Sequence, residues 1–397
     1  MVQFSSSAQS MRSSEIRRLM KLAADPTLIS FAGGVPGSWL YPIDVVDDLY
    51  NGLSLKAKQT AMMYGPTEGF PPLIAEVKKY LTSKGISMEG QELLITTGAQ
   101  QAISLISKVF LDPDDVVITE YPSFIGALAS FKSQQAHTVG VSMDDEGIII
   151  SELLQTMDKY GSKAKVLYLT PYFHNPAGII YSEKRKAELM EALKGRDIVL
   201  LEDDPYGELY FRDEDRELTV PMKARKEQPV PICYTGSFAK IFGPGLRLGW
   251  LVAPTEIADK CQLAKQSMDA CSSTFTQVLA SEYLANNKLP TYLEKLRPAY
   301  ARQASIMLES LKKYMPEGVS WTEPKGGFYV WVNLPANMNA SDVFNETLKN
   351  GAAFVIGSAF DPAGVKNDCL RLAFSNTPEE KIAEGVKIIA EAIKKCM

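Results

Sequence analysis

Short apolar segments rich in β-branched residues alternate with amphipathic stretches between residues 90 and 255. Because strands that alternate with helices are typical of a parallel sheet covered on its faces, this pattern predicts an α/β fold with a mainly parallel seven-stranded sheet. The predicted strands are Leu93–Thr97, Val116–Glu120, Thr138–Val141, Val166–Thr170, Ile198–Glu202, Ile232–Thr235 and Leu248–Val252. The predicted helices are Gln100–Leu111, Phe124–Lys132, Glu183–Leu193 and Thr255–Asp269. Such sheets bind ligands beyond the carboxyl ends of their strands, so the loops there are the first place to look for chemistry.

The remainder of the chain has a different pattern. Residues 276–315 predict one long helix, and Phe328–Val332 alternate like a half-buried strand after a Gly-Gly turn. Near the C terminus, a proline and a capping glutamate precede an apolar face, which predicts a final helix. That face consists of Ile382, Val386, Ile389 and Ile393. We therefore predict a second, smaller α+β domain made of residues 286–397 and the N-terminal segment 1–44, beside a large domain of residues 45–285.

Composition and charge argue against several classes of protein and several kinds of site. The 397 residues carry a net charge of −5 from 42 basic and 47 acidic residues, without a basic cluster, which argues against a nucleic-acid or anionic-membrane surface. No apolar run approaches the roughly 18 residues that cross a bilayer, and Met1–Ser14 has no apolar centre typical of a secretory signal, although a transit peptide stays open. Five scattered cysteines predict free thiols in a reducing cytoplasm. Two isolated histidines, His137 and His174, favour neither a metal site nor a Ser-His-Asp triad.

Uncharged residues follow three of the first four predicted strands, at the carboxyl ends where such sheets bind ligands. Gly98, Ala99 and Gln100 begin a helix, and the free amides of a helix N terminus attract phosphate. Phe124 follows the second strand and can stack on a planar heterocycle. Asn175 follows the fourth strand, and its amide can donate to a phenolate oxygen. Taken singly, an ordinary turn or a core aromatic explains each of these residues as well.

Charged groups follow the next two strands. Asp203 ends a continuous apolar strand, where a carboxylate is costly unless it meets a cation or a donor such as a pyridinium N–H. Tyr206, three residues later, can bond a ring oxygen. Lys240 follows the next strand between Ser237 and Arg247, an arrangement that suits a covalently bound aldehyde with a phosphate clamp. Together these strand ends predict a site for pyridoxal 5′-phosphate (PLP).

With these motifs the chain resembles the PLP-dependent enzymes of fold type I, in the class I/II aminotransferase family. The resemblance extends from Ile29 to Ser375 and is greatest to the branch of 2-aminoadipate and kynurenine aminotransferases, which includes the aminotransferase-like half of some bacterial transcription regulators. The motifs of that branch are residues 64–69 (YGPTEG), 202–207 (EDDPYG) and 244–249 (PGLRLG). The large domain would then be the one that binds PLP.

The resemblance implies cofactor contacts position by position. Lys240 would hold the cofactor covalently and shuttle the proton, with Asp203 and Tyr206 as the other catalytic residues. Asp203 would keep the ring nitrogen protonated, Tyr206 and Asn175 would contact the ring oxygen, and Phe124 would stack on the ring. The phosphate would be held by Gly98, Ala99, Gln100, Ser237 and Arg247, with Tyr64 reaching in from the other subunit of a homodimer.

The resemblance also implies substrate contacts. Arg371 would bind the α-carboxylate through two parallel hydrogen bonds, beside Asn175, and Gly34 would leave room for it. Arg17, in the N-terminal segment, would influence side-chain choice, although a simple surface charge explains it equally well. Three departures leave substrate preference open: Phe124 where relatives have tyrosine, Ala239 where they have serine, and His174 where they have glutamine.

The expected activity is transfer of an amino group from an α-amino acid to a 2-oxo acid, with 2-oxoglutarate as one acceptor, by a ping-pong mechanism. A PLP-dependent β-lyase or decarboxylase is the alternative, because the same site serves several bond cleavages. A ligand-sensing regulator is a third reading. The segment before Ile29 is short for a DNA-binding module, and the acidic balance offers no DNA-binding face, which argues against a regulator.

Overall fold

The computed structural model describes residues 3–10, 25 and 27–397, and the strands and helices below are those of these residues. The strands are β1 (Ile29–Ser30), β2 (Gln91–Thr96), β3 (Val116–Tyr121), β4 (His137–Asp144), β5 (Gly147–Ile148), β6 (Ala164–Leu169), β7 (Val199–Asp204), β8 (Ile232–Ser237), β9 (Gly249–Pro254), β10 (Ser320–Trp321), β11 (Tyr329–Asn333), β12 (Ala352–Ala353), β13 (Val355–Ile356) and β14 (Cys369–Ala373). The helices are α1 (Ser6–Ser10), α2 (Ile43–Gly52), α3 (Leu55–Ala61), α4 (Pro71–Ser83), α5 (Ala99–Phe110), α6 (Ile125–Ser133), α7 (Ile150–Tyr160), α8 (Glu183–Ala192), α9 (Thr255–Asp269), α10 (Thr274–Ala285), α11 (Lys288–Tyr314), α12 (Ala340–Lys349) and α13 (Glu379–Cys396).

The large sheet has the strand order β2-β9-β8-β7-β6-β3-β4-β5. All neighbours are parallel except at β9 and β5, which run opposite to the others. This confirms the predicted fold class. The predicted seven strands are all present, and β5 adds a two-residue edge strand that pairs with β4, too short for its apolar pattern to be recognised.

Strand boundaries place the acidic residues differently from the prediction. The strand predicted to end at Glu202 continues to Asp204 as β7, and all six of its residues are buried. Asp203 and Asp204 are therefore part of the sheet, and they point to its opposite faces because side chains alternate along a strand. The carboxylate of Asp203 is thus held by a rigid element and not by a loop.

The single helix predicted over residues 276–315 is wrong. The chain forms two helices, α10 and α11, which are separated at Asn286 and Asn287. Asn287 has φ of 52°, in the left-handed region that ends a helix and that asparagine tolerates better than most residues. The apolar periodicity continues across this break, which is why the pattern alone did not reveal it.

A second, smaller sheet has the order β10-β11-β14-β13, and β1 pairs with β12 beside it. The predicted strand over Phe328–Val332 corresponds to β11, and the predicted final helix corresponds to α13, whose four isoleucine and valine positions are all buried. This small α+β unit bears on function because β11 and β14 bring side chains to the edge of the large sheet. The domain boundaries after residues 44 and 285 stay a prediction.

Within residues 3–10, 25 and 27–397, we find no helix with both the length and the apolar content to cross a bilayer.

Candidate active site

One cavity of about 360 Å³ gathers almost all of the predicted site residues. It lies at the carboxyl ends of β6, β7 and β8, where the small sheet meets the large one. Its lining residues are Ala32, Gly33, Gly34, Val35, Gly98, Ala99, Gln100, Phe124, Thr170, Asn175, Asp203, Pro205, Tyr206, Ser237, Lys240, Arg247, Tyr329 and Arg371. The structure therefore brings together residues that are up to 339 positions apart in the chain, as the hydrogen bond from Arg371 to Ala32 illustrates.

Lys240 follows β8 and extends its amine into this cavity. Its Nζ donates a hydrogen bond to the carbonyl oxygen of Gly34 at 2.8 Å. Burial, assisted by the positive charges of Arg371 and Arg247, lowers the pKa of Lys240 to about 8. Because burial and like charges both disfavour the ammonium form, the neutral amine is accessible near physiological pH. This is the state that an amine needs to attack a carbonyl carbon or to accept a proton.

A phosphate-sized cradle lies on one side of Lys240. Gly98 adopts φ of 82° just before α5, so the first amides of this helix face the cavity without a partner in the helix. A Cβ at Gly98 would lie 3.1 Å from a terminal nitrogen of Arg247, so the glycine leaves room for the guanidinium. Ser237 adds its hydroxyl from the end of β8. The Gln100 side chain, by contrast, donates to Gly126 O and Ser130 Oγ, so only its backbone amide is available.

Asp203 differs from the two acidic residues that flank it. Glu202 accepts hydrogen bonds from Tyr172 and from backbone amides, and Asp204 accepts them from Tyr234 and Gly207. Asp203 accepts one hydrogen bond at Oδ2, from Tyr168 at 2.7 Å, and its buried Oδ1 has no partner among the residues the structure describes. Burial raises the pKa of Asp203 to about 7, against the opposing effect of the Tyr168 hydrogen bond. A cationic N–H donor in the cavity would satisfy the free oxygen and restore the ionised form.

Arg371 projects from β14 with its guanidinium buried between two rings. Its Cζ lies 4.6 Å from the ring centre of Tyr329 and 4.9 Å from that of Phe360. Its terminal nitrogens donate to Asn175 Oδ1 at 3.0 Å and to Ala32 O at 2.6 Å, and its Nε has no partner in the described part of the chain.

No carboxylate of residues 3–10, 25 or 27–397 forms an ion pair with this buried guanidinium. An isolated buried charge is expensive, which favours a site that receives an anion from outside. A carboxylate that contacts both Nε and a terminal nitrogen would provide the bidentate geometry that arginine prefers. Asn175 is buried beside it, so a ligand carboxylate would meet both residues together.

Aromatic side chains shape the rest of the cavity. Phe124 caps α6 and Tyr206 follows β7, and both line the cavity as predicted. Tyr329, on β11, is a site residue that the sequence analysis missed. Its hydroxyl lies 2.8 Å from the hydroxyl of Tyr206. A Cβ at Gly34 would lie 2.0 Å from the Tyr329 oxygen, so the tyrosine at position 329 requires a glycine at position 34.

Two predicted site residues are not among those that line the cavity. Tyr64 does not line the cavity, and its side chain is 93% exposed in the single chain. Arg17 lies outside the described residues. The unusual His174 is buried below the cavity, where Nε2 contacts Glu120 at 3.1 Å and Nδ1 accepts the amide of Ala177 at 3.1 Å.

The residues present fit PLP on three independent observations. An amine with a pKa near neutrality lies in the cavity. A buried carboxylate oxygen without a partner offers an acceptor for a ring N–H. A glycine, helix amides, a hydroxyl and a guanidinium form an anion cradle at one end. A simple amino acid would leave this cradle unfilled, whereas a phosphorylated heterocyclic aldehyde has a partner for the amine, the carboxylate oxygen and the cradle.

Comparison with known proteins gives a consistent result. The family model described as aminotransferase class I and II matches residues 40–389. The chain is 37% identical to aromatic-amino-acid aminotransferase 1 of Thermococcus litoralis, over 99% of this chain and 94% of the relative. Two solved structures cover 99% of this chain and 97% of their own. They are Pyrococcus horikoshii kynurenine aminotransferase in complex with PMP (37% identity, TM-score 0.93) and Thermus thermophilus α-aminoadipate aminotransferase with N-(5′-phosphopyridoxyl)-L-leucine (33% identity, TM-score 0.87).

Proposed function

We propose a substrate class for this chain, which belongs to the aminotransferase class I and II family and is a PLP-dependent aminotransferase. It transfers the amino group of aromatic amino acids and 2-aminoadipate to 2-oxoglutarate. The observation that supports this most directly is the single cavity in which Lys240, Asp203 and Arg371 converge. The choice of donors is supported by the relatives, which are an aromatic-amino-acid, a kynurenine and an α-aminoadipate aminotransferase. The apolar wall of Val35, Phe124 and Tyr329 offers an aromatic side chain favourable contact.

In this proposal the chain's own residues bind, orient and move protons around the cofactor. When bound, PLP supplies an aldehyde that joins amines covalently and a ring that takes up electrons from the substrate carbon. Asp203 would hold a proton on the ring nitrogen through its free Oδ1. Gly98, Ala99, Gln100, Ser237 and Arg247 would hold the phosphate, the first three of them through backbone.

The remaining residues would contact the ring oxygen of the cofactor and the substrate. Asn175 and Tyr206 would donate to the ring oxygen, and Phe124 would cover a ring face. Arg371 binds the α-carboxylate and so fixes the substrate relative to Lys240. The Nζ of Lys240, whose neutral form is accessible because of its lowered pKa, would accept the proton from the substrate Cα and deliver it to the cofactor carbon that carried the aldehyde. Since one cavity serves donor and acceptor in turn, the kinetics are ping-pong.

A panel of amino donors tests this proposal. We expect the highest kcat/KM for phenylalanine, tyrosine, kynurenine and 2-aminoadipate with 2-oxoglutarate. For the aromatic donors it should be at least about tenfold above alanine or serine, the size of effect that apolar side-chain contacts give. The assay follows formation of the 2-oxo acid and of glutamate, and pyruvate serves as a second acceptor. Release of pyruvate and ammonia from a cysteine conjugate without any oxo-acid acceptor would instead favour the β-lyase. A flat donor profile would contradict the proposed substrate class.

A homodimer is part of the same proposal. Large apolar side chains are exposed in one stretch of the chain around α3, where Leu55, Met62 and Met63 are 74%, 81% and 65% exposed and Tyr64 is 93% exposed. The exposed ring of Tyr50 packs near that of Phe275, with ring centres 5.9 Å apart, so the patch continues onto α10. An apolar patch of this kind is costly in water and is typical of a surface that another chain covers. We infer that a second copy covers it and that Tyr64 contributes to the phosphate site of that copy.

We expect the double variant Met62→Glu, Met63→Glu to sediment as a monomer at concentrations where the unmodified protein is a dimer. It should also lose PLP more readily, because Tyr64 would no longer reach a partner. Analytical ultracentrifugation and the dissociation constant of PLP check both effects. Val365→Glu provides a matched control, since Val365 is 75% exposed in the loop before β14. Dimers of undiminished stability in the double variant would place the interface elsewhere.

The five cysteines are free thiols, including the buried Cys233 and Cys261. Free thiols persist in reducing compartments, which supports a cytoplasmic location for the enzyme.

A further inference from the structure

Tyr329 brings a hydroxyl into the cavity from the small sheet. The side chain is 1% exposed, and its ring meets the ring of Tyr206 edge to face, with centres 5.6 Å apart at an interplanar angle of 86°. The two hydroxyl oxygens are 2.8 Å apart, the length of a good O–H···O hydrogen bond. Tyr329, on the small sheet, therefore directly contacts Tyr206, a predicted cofactor-binding residue that follows a strand of the large sheet.

The position of the Tyr329 hydroxyl is fixed from several sides. Arg371, diagonally across the β11–β14 pair, lies 4.6 Å from the ring centre. The backbone of Gly34 passes so close that a Cβ there would overlap the hydroxyl. With the ring held by the guanidinium on one face and Phe328 at 6.2 Å, the oxygen has little freedom except toward Tyr206.

The two hydroxyls together can offer one O–H to the cavity. Burial raises the pKa of both tyrosines, so each hydroxyl keeps its hydrogen at neutral pH. One hydrogen must lie between the oxygens, and the described residues give neither hydroxyl another hydrogen-bond partner. If Tyr329 donates to Tyr206, the hydrogen of Tyr206 is released for a ligand, and its oxygen is polarised as an acceptor, which makes it a better donor.

We propose that Tyr329 is a positioning residue that acts through Tyr206: its hydroxyl donates to the Tyr206 oxygen and thereby directs the Tyr206 O–H toward the ring oxygen of bound PLP. This inference rests on the proposed function. It assigns to the small sheet an influence on the electronic state of the cofactor, exerted through Tyr206, in addition to binding the substrate through Arg371.

The influence has a spectroscopic signature. A hydrogen bond to the ring oxygen stabilises its anionic form, and that anion in turn stabilises a proton on the neighbouring Lys240 nitrogen. A directed donor takes up part of the anion's charge, so the Lys240 nitrogen loses its proton at lower pH. The other charged groups that face this nitrogen are Arg371, Arg247 and Asp203. Tyr329→Phe substitutes none of these charged groups and keeps the ring against which Arg371 packs.

The test is a pH titration of the absorption spectrum of the PLP-loaded enzyme without substrate. We expect Tyr329→Phe to raise the midpoint of the spectral transition by about half a pH unit, and Tyr206→Phe by about one unit, which corresponds to one ordinary hydrogen bond. If the Tyr329 hydroxyl acts through Tyr206 as proposed, the double variant should titrate like Tyr206→Phe alone. Tyr300→Phe is the control, because it removes a hydroxyl from the same aromatic cluster but outside the cavity. The ring centres of Tyr300 and Phe328 are 4.8 Å apart.

Two results would overturn the inference while the proposed function stands. One is an unchanged midpoint in Tyr329→Phe with the cofactor bound, and the other is a double variant whose shift is the sum of the single shifts. A merely structural role of Tyr329 would lower stability or substrate affinity without moving the midpoint. If the unmodified protein took up no PLP chromophore at all, the proposed function would fail together with the inference.

Discussion

Lys240→Ala protein should show no measurable transamination, with kcat at least about 10⁴-fold below that of the unmodified enzyme, because the variant lacks both the covalent attachment point and the proton carrier. Borohydride reduction of the unmodified enzyme should leave a pyridoxyl group on the peptide that contains residue 240, and mass spectrometry should find none on the variant. Lys240→Arg should be equally inactive, since a guanidinium keeps its positive charge but does not lose a proton near neutral pH.

Lys223 is the matched control for this experiment. Burial lowers its pKa to about 8 as well, yet its Nζ donates to Ile232 O and Gln91 Oε1, away from the cavity. Lys223→Met should therefore destabilise the protein by about 1–3 kcal/mol while kcat changes little. A lowered pKa alone does not distinguish the two lysines, and only the surroundings do. Turnover by Lys240→Ala at the rate of the unmodified enzyme, or a pyridoxyl adduct on another lysine, would refute the assignment.

The chemistry at the ends of the large sheet could be predicted from the sequence because local order determines it. A strand, a turn and a charged or small residue follow one another in the chain, and parallel strands bring such turns to one edge. Gly98, Asn175, Asp203 and Lys240 were therefore predictable, and the structure places all four in one cavity.

Contacts that depend on tertiary register were not predictable. Tyr329 reads as an ordinary half-buried strand residue, and only the pairing of β11 with β14 places it beside Arg371. Tyr168 likewise reads as core, and it reaches Asp203 because β6 and β7 are neighbours in the sheet. The break between α10 and α11 depends on the backbone of Asn287, which the apolar periodicity does not record. The sequence thus indicates which groups come to the site, whereas packing decides which partners tune them.

Asp203→Asn should retain bound PLP but slow the half-reaction with an amino donor by about 10²–10⁴-fold in single-turnover measurements. The amide has the shape of the carboxylate and leaves the phosphate cradle, Lys240 and Arg371 unchanged, so binding persists. It cannot carry the negative charge that keeps a proton on the ring nitrogen, and without that proton the ring withdraws electrons less strongly from the substrate carbon. Stopped-flow absorbance of the loaded enzyme mixed with one donor measures the rate directly.

The neighbouring carboxylate provides the control for Asp203. Asp204 points to the other face of β7, where Tyr234 donates to it at 2.7 Å and Lys84 lies 3.4 Å away. Asp204→Asn should lower the free energy of unfolding by about 1–3 kcal/mol, since it weakens this buried network, with a much smaller effect on the single-turnover rate. An Asp203→Asn rate equal to that of the unmodified enzyme would show that the ring nitrogen needs no carboxylate.

The cofactor-free protein offers a second, independent measurement of the same carboxyl. Its pKa rises from 3.8 in the unfolded chain to about 7 in the folded one, so ionisation of Asp203 costs stability, and the cost grows as pH rises between these two values and is complete above about 7. An asparagine does not ionise and avoids this cost. We therefore expect Asp203→Asn to raise the Tm of the cofactor-free protein relative to the unmodified chain, more at pH 8 than at pH 5. Saturating PLP should diminish this advantage, because a bound ring N–H stabilises the ionised carboxylate and so favours the unmodified protein. A Tm difference that did not change with pH or PLP would mean that the free oxygen of Asp203 is already satisfied within the chain and does not await a ligand.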